Sequence, residues 1–149
     1  MYPYLKNANV NFVGYTKMVN VRDKGQRGER EFLGLLSELL ELEVSLTRNL
    51  SQTRGGGADC IELPGYSIEV KNCATVTLSS WWKQATRQAQ LSQSIPILAY
   101  KVPRKGWLIV CPFCWLLNAE NSEYPELLDT VQMGVKNWVK LYKIKRGLD

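Results

Sequence analysis

Asp59, Glu69 and Lys71 are the residues of this chain whose types and spacing best suit joint chemistry. The Asp lies ten residues before a Glu-X-Lys, with Pro64-Gly65 between them. That spacing predicts two strands of one hairpin, near 58–62 and over 66–73, joined by a turn at 63–65. Side chains alternate along a strand, so Glu69 and Lys71 share one face while Ile68 and Val70 share the other. Asp59, on the preceding strand, can reach the same point. Two carboxylates and a lysine converging there suit a divalent cation, Mg²⁺ or Mn²⁺, and a water that attacks phosphate. Asp59 and Glu69 are then direct ligands, and the backbone carbonyl of Val70 is a third. Lys71 orients the water, helps to deprotonate it, or offsets transition-state charge.

These residues need elements to hold them. Before the hairpin, a helix is expected from about Glu29 to Leu42, entered through Lys24-Gly25-Gln26-Arg27-Gly28. At about 100° per residue, Phe32, Leu33, Leu36, Leu39 and Leu40 form one apolar stripe. Glu29 falls within that stripe, whereas Glu31, Glu38 and Glu41 point the other way. Glu29 therefore has two readings: a first-turn acid complementing the helix dipole, or the wall of the acidic pocket, acting directly or through water. A strand over Val44–Asn49 and a polar loop ending in Gly55-Gly56-Gly57 lead to Asp59. Beyond the hairpin, Ser79 or Ser80 caps a helix over about Trp81–Ser92, closed by Pro96. Strands follow at Ile97–Lys101 and from Gly106 through Val110. A helix is expected over Tyr124–Lys145. The order predicts a mixed α/β domain, a small central sheet with helices on its faces. Residues 1–23 read as an N-terminal arm and residues 24–149 as one domain.

The chain has 149 residues, a net charge of +5 and a pI near 9.1, a balance that favours a polyanionic partner, nucleic acid first. Arg27, Arg30, Arg48 and Arg54 surround the acidic cluster in the sequence and suit the DNA backbone. Lys83 and Arg87, four apart on one helix face, suit phosphates, and Gln84 lies beside them. The adjacent Trp81 and Trp82 read as core rather than as a base-stacking platform, and the basic C-terminal end reads as a solvated helix end. There is no histidine, which removes Ser-His-Asp and Cys-His catalysis and histidine-ligated zinc together. Cys111-Pro112-Phe113-Cys114 has metal-like or redox-like spacing, but its second pair is missing, so reduced structural cysteines are expected. No run of about 18 apolar residues occurs. The first residues lack a signal-peptide layout. A cytoplasmic protein without a membrane partner is expected.

The helix glutamate, the Asp and the Glu-X-Lys together resemble the PD-(D/E)XK nuclease superfamily. Lys24-Gly25-Gln26-Arg27-Gly28-Glu29-Arg30-Glu31-Phe32 resembles the start of archaeal Holliday junction resolvases of the Hjc type. This resemblance implies a restriction-endonuclease-like core. It places Glu29, rather than Glu31, at the active-site glutamate, with Asp59, Glu69 and Lys71 on the remaining motif positions and Arg30 and Arg48 on DNA-contacting ones. Leu78–Ala85 looks like the helix of phage-encoded PD-(D/E)XK endonucleases, in which a Gln sits near the site. The resemblance spans about residues 24–110. Ala58 stands where the superfamily's proline usually precedes the Asp, and Gly55–Gly57 replaces the resolvases' short serine-bearing loop. The function expected is a Mg²⁺-dependent, structure-selective DNA endonuclease, a Holliday junction resolvase acting as a homodimer that presents two sites to a four-way junction. The alternatives are a phage-type nuclease cutting flap, nicked or duplex DNA, and a non-catalytic nucleic-acid-binding module.

Overall fold

A computed structural model describes residues 21–43, 45–47, 63–119 and 124–148. Its first element is helix α1 (Val21–Leu39). Phe32, Leu33 and Leu36, with Leu40 just past its end, are buried, as the apolar stripe requires. The helix starts well before Glu29: the Lys24–Gly28 stretch expected to lead into it is part of it. Helical glycine costs roughly 1 kcal/mol relative to alanine, but Gly28 is used for contact. A Cβ there would lie 2.4 Å from Cβ of Asn72, so only glycine lets the helix lie this close to the strand ending at Lys71. The C-terminus closes in a left-handed turn at Glu41 (φ 56°), with Leu42 N–H donating to the Ser37 carbonyl at 3.1 Å. Ser37 Oγ then accepts the Leu46 N–H at 2.7 Å, drawing the chain back over the helix. Ser45–Thr47 carry no regular structure, so the strand expected over 44–49 has no counterpart among the described residues.

The sheet comprises β1 (Tyr66–Lys71), β2 (Ile95–Val102), β3 (Gly106–Pro112) and β4 (Thr130–Gly134), in the order β1-β2-β3-β4. β1 and β2 are parallel and are joined across one face by helix α2 (Leu78–Ser92); the other pairs are antiparallel. Pro96, expected to close the α2 region, lies inside β2. The expected turn at 63–65 is present, with Gly65 at φ 85°; the strand expected near 58–62 lies outside the described residues.

Alternation along the strands divides the core in two. Ile68, Val70, Ile97, Ala99 and Ile109 pack with α1 and with the C-terminal helix. Leu98, Tyr100 and Val110 pack with Trp81, Trp82 and Ala85 of α2. Both tryptophans are core, as expected. This is the mixed α/β arrangement predicted, a four-stranded mixed sheet flanked by helices, consistent with a restriction-endonuclease-like fold.

The C-terminal region corrects the expectation of one helix over Tyr124–Lys145. It contains a 3₁₀ turn (Leu127–Asp129), then β4, then helix α4 (Val135–Arg146), after the short helix α3 (Phe113–Leu116). The apolar spacing over 127–139 fits a helix by coincidence. Val131 and Met133 are instead on a strand that completes the ladder of β3, and Leu128 is 92% exposed. No helix among the described residues is long and apolar enough to cross a membrane.

Candidate active site

Glu69 and Lys71 stand opposite Leu98 and Tyr100 of β2. They therefore face α2, the layer that covers those two residues. Glu69 is 2% exposed. Its Oε1 lies 2.5 Å from Lys71 Nζ. Its Oε2 is buried and has no hydrogen-bond partner among the described residues. Lys71 Nζ also donates to Gln84 Oε1 of α2, at 2.8 Å. The ammonium is thus held between a strand carboxylate and a helix amide. Gln84, grouped in the sequence with phosphate-binding residues, reaches the catalytic lysine candidate instead. Strand parity gave part of the signal, that Lys71 shares a face with Glu69; that α2 covers this face comes from the fold.

The contact of Gly28 with Asn72 puts the next residue of α1, Glu29, at the end of β1 that carries Lys71. Glu29 is partly buried, with its Oε2 enclosed, in agreement with the inward direction read from the helical stripe. Glu31 points elsewhere: its Oε1 pairs with Lys101 Nζ at 2.5 Å and accepts from Trp107 Nε1 at 3.1 Å. The hydrogen bond from Lys101, helped by Trp107 and by the Lys101 and Arg27 charges, holds the Glu31 carboxyl below its ordinary range. The structure thus separates an inward glutamate, Glu29, from Glu31, which is tied to the β2–β3 hairpin two residues on.

Asp59, Arg48 and Arg54 lie outside the described residues. Among those described, no three acidic or cysteine side chains converge as a metal cluster. The fit to a cation rests on Glu69. An ionised carboxylate with one buried, unsatisfied oxygen costs more than the roughly 1–3 kcal/mol of an ordinary orphaned group, and a hard divalent cation is the partner carboxylate oxygen prefers. The donor set is compatible with such a cation.

Comparison with known proteins then gives the chain its family. Residues 20–144 match the family described as "Phage putative PDDEXK endonuclease". The chain belongs to this family. Among curated proteins it is similar to "Protein D14" of Escherichia phage T5, at 30% identity over 112 residues, covering 61% of this chain and 70% of that protein. No solved structure matches. Neither description names a junction resolvase.

Within this phage endonuclease family the reading is a PD-(D/E)XK nuclease, of a superfamily that generally uses divalent metals. Arg27 and Arg30 on α1 are exposed, as are Lys83 and Arg87 flanking Gln84 on α2. A separate cavity of about 740 Å³ opens at the opposite end of the sheet, beside Tyr66 and Trp115. Its cations are committed to the fold: Lys145 Nζ lies 4.9 Å from the Trp115 ring, and Arg146 donates to the Pro64 carbonyl at 3.0 Å. Cys111 and Cys114 are free. Burial, with a smaller contribution from Cys114, pushes the Cys111 thiol up to about 12, which suits a core residue and not a redox pair.

Proposed function

We propose that this chain is a divalent-metal-dependent endodeoxyribonuclease whose catalytic centre is Glu29, Asp59, Glu69 and Lys71, and whose substrate is branched DNA, the four-way junction first. The observation that carries the catalytic reading is Glu69, with one oxygen on Lys71 and the other buried without a hydrogen-bond partner among the described residues. Asp59, Glu69 and the Val70 carbonyl would hold the cation, with Glu29 reached directly or through water. When bound, such a cation lowers the pKa of water and polarises the scissile phosphate. Lys71 has three N–H donors. Among the described residues two are directed, at Glu69 Oε1 and Gln84 Oε1, and the third would meet a water or a phosphate oxygen. Fixed in this way, the ammonium offsets charge that develops on the phosphate without reorganising during the reaction. The choice of a junction, and of a homodimer acting on it, draws support from the resemblance of Lys24–Phe32 to the Hjc-type resolvases. A phage-type nuclease that cuts flap, nicked or duplex DNA is the second reading, favoured by a family description that names no junction.

The test is Mg²⁺-dependent cleavage of a four-way junction beside a matched duplex, by the wild type, Glu69→Gln and Asp59→Ala. Cleavage of the junction alone by the wild type, lost by about 100-fold or more in both variants as when catalytic electrostatics are removed, is the expected result. Equal cleavage of both substrates selects the second reading. Full activity in either variant overturns the site. A wild type that cuts no DNA leaves only a binding module.

A further inference from the structure

The β2–β3 turn combines exposed charge, backbone cost and position. Lys105 N–H closes it onto the Val102 carbonyl at 3.1 Å. Pro103 occupies the first central position, and Arg104 the second, at φ 65°. A proline followed by a positive-φ residue is the pattern of a type II turn, whose second central position favours glycine or asparagine. An arginine held there is in a costly conformation, and such outliers gather at functional surfaces. Arg104 and Lys105 are both exposed. Glu31 of α1, a carboxylate that reaches this hairpin, is already taken by Lys101 and Trp107. Among the described residues no acid pairs with either turn cation.

Position gives the turn a use. β1 and β2 run in parallel with Lys71 opposite Tyr100, so the turn after Val102 projects past the end of β1 that bears the site. At about 3.3 Å per residue and one strand spacing sideways, Arg104 lies on the order of 12 Å from Lys71. That is about three to four base-pair rises of DNA. Gly28 of α1 lies against Asn72 and Gln84 of α2 reaches Lys71, so their chain neighbours Arg27 and Lys83 lie near the same end.

We propose that the Arg104–Lys105 turn is a DNA-backbone contact, binding phosphates three to four nucleotides from the scissile one and setting how far duplex must extend beyond the cut. This rests on the nuclease reading above. The test compares the wild type with Arg104→Gly/Lys105→Ala. Glycine accepts the positive φ, so the variant folds with an equal or higher Tm. Binding to a four-way junction is measured across a salt series, and its cleavage at saturating DNA with Mg²⁺. Loss of two phosphate contacts makes the log–log salt slope shallower by about 1.8 and weakens binding on the order of tenfold near 0.1 M salt. The saturated cleavage rate is unchanged. Trimming the junction's duplex arms to within about two base pairs of the cut, one side at a time, abolishes the difference on one side. An unchanged slope and affinity overturns the proposal, as does a loss that persists on both trimmed junctions or a lower saturated rate with affinity intact. A wild type that binds but does not cut removes the nuclease reading, while the salt slopes still judge the turn. A wild type that binds no DNA removes both.

Discussion

Gln84 and Glu31 show how much one side chain's partner decides. Gln84 is exposed on α2 and, from the sequence, belongs with Lys83 and Arg87 as a DNA contact. In the fold its amide oxygen is on Lys71 Nζ at 2.8 Å. The two roles separate kinetically. If Gln84 holds the lysine, Gln84→Ala lowers kcat by about 10–100-fold, the scale of one hydrogen bond to a charged group, and leaves DNA affinity within about twofold. If it grips the backbone, Kd rises and kcat stays. Gln84→Glu is the sharper variant, because a second carboxylate on the ammonium opposes the incoming phosphate, and kcat falls further. Single-turnover cleavage alongside binding separates these outcomes. Glu31 carries a different prediction. Its folded carboxyl lies below the ordinary range because Lys101 and Trp107 donate to it. A depressed carboxylate contributes stability that is present above its unfolded value and lost as pH falls through the folded one. Wild-type stability therefore declines on acidification below about pH 4.5, the ordinary glutamate value. In Glu31→Gln that part of the decline is absent. Urea midpoints from pH 3 to 6 read it, and identical slopes in the two proteins would remove the assignment.

The packing of α1 on β1 is the element-level condition for the site, and three glycines of that helix test it by contrast. Gly28 has no room: its Cβ would meet Cβ of Asn72 at 2.4 Å. Gly25 and Gly34 have nothing within 4 Å. Alanine at either open position stabilises by roughly 0.5–1 kcal/mol, through helix propensity. Gly28→Ala gains the same propensity but must push α1 off the strand, and overpacking of this kind costs about 1–3 kcal/mol. With Glu29 in the proposed catalytic centre, displacing α1 also makes cleavage fall more than stability does. Because the clash is with Cβ of Asn72, the Gly28→Ala/Asn72→Gly double variant recovers part of the loss. Thermal melts and cleavage rates of these variants and of Asn72→Gly check this, and additive losses in the double variant would show that the contact is not the cause. The same glycines explain what the sequence left illegible at this scale. Gly25 and Gly28 read locally as a loop entering the helix at Glu29, since nothing in local propensity requires glycine inside α1. The requirement comes from Asn72, a residue distant in the chain. The stripe of Phe32, Leu33 and Leu36 and the inward phase of Glu29 were legible, because they depend only on helical period. β4 was not legible. Val131 and Val135 keep a helical spacing, and pairing with β3, a non-local ladder, overrides it.

At the scale of the whole molecule, the sheet couples the site to global stability through one unused thiol. Cys111 is fully buried near the end of β3 and its thiol is pushed up to about 12 by burial. Cys73, just past β1, is exposed. At pH 8 a thiol pushed up this far is almost wholly un-ionised, and the thiolate is the species that alkylates. Its burial removes access as well. Cys111 therefore reacts only when the sheet opens, while Cys73 reacts in the native state. A ligand that binds the folded chain alone suppresses opening by the factor 1 + [L]/Kd, so saturation at 100 Kd is worth about 2.7 kcal/mol. With Mg²⁺ or Mn²⁺ present, pulsed alkylation of Cys111 followed by peptide mass mapping slows accordingly in the wild type. In Glu69→Gln the slowing disappears, because the buried oxygen that would meet the cation is gone. This readout needs no DNA and no turnover, so it tests the metal site apart from the substrate. If Cys111 and Cys73 were modified at equal rates in the native protein, the burial of β3 would be wrong. If metal slowed Cys111 equally in both proteins, the cation would be bound somewhere other than at Glu69.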